Sequence, residues 1–139
     1  MEYFIQFCFE VPLSAAQRTY AMGLAKALDA QMALDPLPEG YDDGLDAVRC
    51  YEWGGVLENT KCGVRVSSNS RSSVEGAIDF VRHLLRRYGL SITVSFVYAE
   101  FASHPCADGA GGGACIVTKS NVTRIDAVTW LRDQLELKP

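Results

Sequence analysis

Only two histidines, His83 and His104, occur in the 139 residues, which narrows the acid–base and metal chemistry available from the outset. No stretch approaches 18 consecutive apolar residues, so no membrane-spanning helix is expected. Basic residues are in deficit. Thirteen Lys and Arg stand against 17 Asp and Glu, a formal net charge of -4, and this balance argues against direct nucleic-acid binding. The opening MEYFIQFCFEVP lacks a basic n-region and carries Glu2 and Glu10 around its apolar stretch, so no secretory leader is expected. The five cysteines, Cys8, Cys50, Cys62, Cys106 and Cys115, are an odd number that suits free thiols in a reducing cytoplasm better than a disulfide framework. What the chain does have is 48% apolar residues, enough to offset the entropy of ordering, and a length that suits one domain over residues 1–139.

Hydrophobic periodicity lays out the elements. Residues 2–11 alternate as a strand, with Tyr3, Ile5, Phe7, Phe9 and Val11 on one face and Phe4 and Cys8 on the other, so both faces are expected to be partly covered. Ser14 and Gln17 form a capping box that opens a helix running to Leu34, with Tyr20, Leu24, Leu28 and Met32 as its stripe. Pro36 and Pro38 end it, and residues 35–47 read as a loop. Val48–Leu57 and Cys62–Ser68 read as a hairpin around a turn at Glu58–Lys61. Ser72 and Glu75 cap a second helix, which reaches Tyr88 and stops at Gly89. Strands follow at Ser91–Phe101 and Ala114–Thr118, separated by a glycine-rich loop at 102–113. A last helix from about Arg124 to Glu136 is expected to turn Ile125, Val128, Leu131 and Leu135 inward. The expected fold is α+β: a ferredoxin-like βαββαβ antiparallel sheet with an added C-terminal strand and helix.

Motifs for chemistry are sparse. Gly109, Gly111 and Ala114 match G-x-G-x-x-A, but the strand CIVT follows where a dinucleotide site needs a helix N-terminus, so the fingerprint is rejected. Gly111, Gly112 and Gly113 instead suggest a flexible or tightly turned hairpin loop whose backbone something else could approach closely. His104, Cys106 and Cys115 surround that loop, yet their spacing lacks a zinc knuckle and a fourth ligand, so no metal and no cofactor are expected. His104 with Cys106 is the best candidate for a thiol- or metal-dependent enzyme, and it has no identifiable orienting group or oxyanion hole. Arg49, Arg65, Tyr51 and Trp53 on the strands do not make the aromatic pattern of an RNA-binding sheet. The loop at 35–47 stands out: Asp35, Glu39, Asp42, Asp43 and Asp46 lie there with no basic residue among them, a surface suited to a basic partner. Trp53, beside Gly54–Gly55, is a further candidate contact or a bulge-packing residue.

The run VYAEFASHPCADGAGGGACIVT, followed by TWL at 129–131, resembles a segment of small uncharacterised proteins of phages, prophages and plasmids. The resemblance spans about residues 78–131. It is carried by Gly111, Gly112, Gly113, Ala114 and Trp130, with Ala110 where an aromatic usually precedes the glycines. It implies a mobile-element protein acting in the cytoplasm of a bacterial host, of the kind that includes anti-CRISPR inhibitors. With the acidic loop and the thin catalytic inventory, the expected function is non-enzymatic: binding and inhibiting a host defence complex through an acidic surface. A homodimer formed through an exposed strand edge is a further expectation.

Overall fold

The computed structural model describes residues 3–30, 55–68, 73–104 and 110–136. Along them run β1 (Tyr3–Pro12), α1 (Ala15–Ala30), β2 (Val56–Asn59), β3 (Gly63–Ser68), α2 (Val74–Arg87), β4 (Val94–Ala102), β5 (Ala110–Val117), β6 (Val122–Asp126) and α3 (Ala127–Glu136). The strands form one open sheet in the order β2-β3-β1-β4-β5-β6, and every neighbouring pair is antiparallel. The class is therefore α+β. The sheet is wider than a ferredoxin-like βαββαβ sheet with one added strand, because two strands, β5 and β6, extend it beyond β4. Among the described residues no helix is long and apolar enough to cross a membrane.

Local signals place the helices. Ser14 N–H donates to Gln17 Oε1 at 2.9 Å and Gln17 N–H to Ser14 Oγ at 3.4 Å, the reciprocal bonds of a capping box. For α2 the cap is Ser73 rather than Ser72: its Oγ accepts from Gly76 N–H at 3.0 Å, and its Oγ–H reaches Glu75 Oε2 at 3.3 Å. Helix α2 ends as its sequence predicts. Gly89 takes φ 58°, its N–H bonds Arg86 O, and Leu90 N–H bonds Leu85 O at 2.9 Å, which is the Schellman pattern.

The core lies between the sheet and the two long helices. Phe7, Phe9 and Val11 of β1 alternate inward, and Phe9 stacks on Phe96 with ring centroids 4.2 Å apart. Leu24 of α1 and Phe80, Leu84 and Leu85 of α2 are fully buried against them. Burial of such side chains contributes about 1.5–3 kcal/mol each and dominates the fold's stability. On the opposite face of β1 Cys8 is exposed, while Phe4 is half-buried and stacks on Phe101 with ring centroids 5.3 Å apart. An antiparallel sheet tolerates this, since its ladders satisfy the backbone without a second covering layer.

Two boundary corrections follow from glycine and β-branched chemistry. Residues 110–113 are not a loop. They open β5 and pair with Phe101, Glu100, Ala99 and Tyr98 in register. Residues 124–126 are not the start of the helix but belong to strand β6 (122–126), since VTRID is rich in branched side chains and pairs with 113–117. In the N-terminal half, the described part of the second strand starts at Val56 and runs to Asn59, so Glu58 and Asn59 lie in the strand instead of the turn.

Candidate functional site

Several residues singled out by sequence fall outside the described residues: Asp35, Glu39, Asp42, Asp43, Asp46, Trp53 and Cys106. His104 is exposed just past the end of β4. Cys115 is opposite Phe96 in the β4–β5 register. At about 3.3 Å per residue, the end of β4 at Ala102 is already about 20 Å from Cys115. A joint His104–Cys115 site is therefore excluded by register. Among the described residues no group of three or more His, Cys, Asp or Glu could hold a metal ion.

The glycines have a different role from the one expected. Gly112 takes φ 142°, and a side chain there would meet Tyr98 O at 2.4 Å. At Gly113 a Cβ would fall 1.9 Å from Ile125 O and 2.8 Å from the Tyr98 hydroxyl. These two residues bring β4, β5 and β6 close together and leave room for the Tyr98 ring. They serve packing of the chain on itself, not approach by a ligand.

Around that ring the structure assembles a polar cluster that sequence reasoning missed. Arg124 on β6 donates through Nη1 to Glu75 on α2 and through Nε to the Tyr98 hydroxyl at 3.1 Å. The guanidinium also lies over the Tyr98 ring, 5.1 Å from its centroid. The Tyr98 hydroxyl in turn donates to Asp126 Oδ2 at 3.4 Å. Burial pushes the Glu75 carboxyl up, but the bonds from Arg124 and the backbone outweigh it and hold the group below its ordinary value. Burial pushes the Tyr98 phenol up despite Arg124. Asp126 is held low by the Thr129 N–H, which donates to its Oδ1 at 3.0 Å. Asp126 is thus the N-cap of α3 as well as a partner of Tyr98. The signal was present in sequence: Val122, Arg124 and Asp126 alternate on one strand face, and Asp126 stands three residues before Thr129.

This cluster is an ion-paired clamp joining α2, β4 and β6. Cys115, next to the cluster, is 1% exposed, and burial pushes its thiol up, so it stays protonated at neutral pH. A maleimide is therefore expected to modify exposed Cys62 in the folded protein and Cys115 only after unfolding, as read by peptide mass mapping. Modification of both at one rate would contradict the burial of Cys115.

The most unusual surface is α3. None of its residues is buried. Val128, Leu131 and Leu135 do share one side, as their spacing predicts, but they line a surface groove with Arg132 and Glu136 instead of entering the core. The expectation that Ile125, Val128, Leu131 and Leu135 turn inward is thus corrected. They are 57%, 49%, 53% and 60% exposed, and Trp130 is 56% exposed. The periodicity gives the helix and its stripe; it does not say that the core is already complete with α1 and α2. Comparison of the chain with protein-family models, with curated proteins and with solved structures finds no match.

Proposed function

We propose that this chain is a non-enzymatic binding protein that inhibits a host defence complex by occupying one of its surfaces, with α3 as the anchor. The observation that carries the reading is the exposed apolar stripe of α3 with Trp130 beside it. A ten-residue helix with no buried residue gains little from its own domain, and an apolar helix face of this kind fits an apolar groove on another protein. The acids Asp35, Glu39, Asp42, Asp43 and Asp46 add a second term, selecting a groove rimmed by Lys and Arg. Complexes that handle nucleic acid present such basic rims. The resemblance to mobile-element proteins points the same way, to an anti-CRISPR-like inhibitor in a bacterial cytoplasm. As framework we infer an extended ferredoxin-like sheet, since β2-β3-β1-β4 are neighbours in space with α1 and α2 as crossovers.

The test is an interference assay in a bacterial host with an active CRISPR system that expresses the protein. Wild type is expected to lower interference. The double variant Leu131→Asp, Leu135→Asp is expected to lose at least about tenfold of that effect, the loss typical of central interface residues. Because both positions are exposed, its circular dichroism should match wild type. Reversal of Asp42, Asp43 and Asp46 to Lys should weaken the effect further. Wild type without effect on interference would overturn the defence reading, and an unimpaired double variant would remove α3 as the anchor.

A further inference from the structure

We propose that the sheet face opposite the helices is a homodimer interface, on which a second copy of this chain packs sheet to sheet. This is a different surface from α3. The helices occupy the other side: Leu24 and Phe80 enter the core there, and Val128 of α3 lies near Gly111 on the Glu100 side of β5.

A solvated antiparallel face ordinarily alternates polar residues outward. Here the pattern fails on the β4–β6 half. Val97, Ala114 and Ile125 form one row across three strands, and Ser95, Ile116 and Thr123 form the next. Neither row carries a charge. Val97 is 73% exposed, the most open large apolar side chain among those described, and Ile116 is 48% exposed. Charges on this face gather at its far corner, where Glu58 and Arg65 pair at 3.2 Å across β2–β3 and Glu10 lies opposite Arg65.

Three features select a second copy as occupant. The first is size. Six strands about 4.8 Å apart, each rising about 3.3 Å per residue, give a face of roughly 29 by 20 Å. With side-chain relief that approaches the roughly 800 Å² per partner of a stable interface, too large for a small ligand to cover. The second is charge. A chain of net charge -4 resists its own copy except where the contact is uncharged, and the centre of this face is uncharged. The third is relief. A groove lined by Gln6, Cys8, Ser67 and Ala99 runs beside the ridge that Val97 and Ile125 form. A two-fold axis lays the ridge of one copy into the trough of the other, as aligned sheets pack.

The test is light scattering on the full chain over a dilution series, with Val97→Asp beside wild type. Wild type is expected at twice the 15.2 kDa chain mass. Val97→Asp is expected to raise the dimer dissociation constant by about 100-fold or more, since each copy would bury an unpaired charge. Its circular dichroism should be unchanged, because Val97 touches little of its own chain. If that variant fails to fold, Ile125→Glu at the end of the same row replaces it. Cys8, exposed on the same face, supplies a second reading. Its alkylation should be slow in wild type and rise in the variant to the rate of Cys62. A wild-type monomer at every concentration, or a dimer that survives both substitutions with Cys8 still reactive, overturns the proposal.

Discussion

Gly113→Ala is expected to cost about 3 kcal/mol and to lower the melting temperature by roughly 10 °C or more. The methyl group would lie 1.9 Å from Ile125 O, well inside contact distance, so β6 must move away from β5. That movement breaks the pairing of Gly113 with Asp126 and pushes the Tyr98 hydroxyl, 2.8 Å from the new atom, off its bond with Arg124. Gly112→Ala should be nearly as severe for a different reason. At φ 142° an alanine is strained whatever the space, and its Cβ meets Tyr98 O at 2.4 Å. Two neighbours serve as controls. Gly89→Ala has open space and carries only the cost of a left-handed backbone, about 1 kcal/mol. Gly111→Ala puts its methyl 3.3 Å from the end of the mobile Glu100 side chain and should be close to neutral. The expected order of melting temperatures is therefore Gly111→Ala highest, then Gly89→Ala, then Gly112→Ala and Gly113→Ala. A Gly113→Ala protein melting within a few degrees of Gly111→Ala would show that the three strands can separate at no cost.

Those glycines mark where sequence reading stopped short. A run of three suggests the turn of a hairpin because glycine is usually a punctuation residue. The backbone instead needs glycine inside a strand, because three strands converge on one tyrosine, and no single-chain pattern records that convergence. Helix ends were more legible. The capping box at Ser14–Gln17 and the stop at Gly89 depend on contacts within a few residues, which sequence carries directly. Alternation in β1 likewise located Phe7, Phe9 and Val11 in the core. It could not say whether the second face would find a covering layer, since that depends on how many helices cross over and on which side. The same limit explains α3. Its spacing gives an apolar stripe, but whether a stripe faces inward or outward is settled by how much core the other elements have already filled. The candidate sites divide in the same way. His104 and Cys115 look close along the glycine-rich segment, yet antiparallel pairing carries their ends about 20 Å apart. Arg124, Glu75, Tyr98 and Asp126 are far apart in sequence and meet only through the sheet.

Arg124→Ala tests whether that meeting holds the C-terminal third in place. The expected loss is about 2–3 kcal/mol, from charge-assisted hydrogen bonds that leave a buried phenol with one fewer partner. The pair with Glu75 is partly open to solvent and contributes the smaller part. The larger part comes from Tyr98, 4% exposed, which loses both the Nε donor and the cation over its ring. Lysine should not rescue, because an ammonium cannot present separate donors to Glu75 and Tyr98 in one plane. The pH dependence gives an independent reading. Glu75 is held below its ordinary value of 4.5, so its contribution is complete above that pH and is lost as pH falls below it. Asp126, held low by its cap on α3, acts in the same direction below its ordinary value of 3.8. Wild-type stability should therefore begin to fall as pH drops below about 4.5 and fall further below about 3.8. In Arg124→Ala the Glu75 part of that slope should shrink, since only its backbone and Ser73 bonds then oppose burial, while the Asp126 part remains, so the variant's acid transition begins at lower pH. Hydrogen exchange should show β6 and α3 opening before α2 in the variant at neutral pH. Equal melting temperatures and identical acid profiles for the two proteins would mean that β6 and α3 are held by backbone pairing alone.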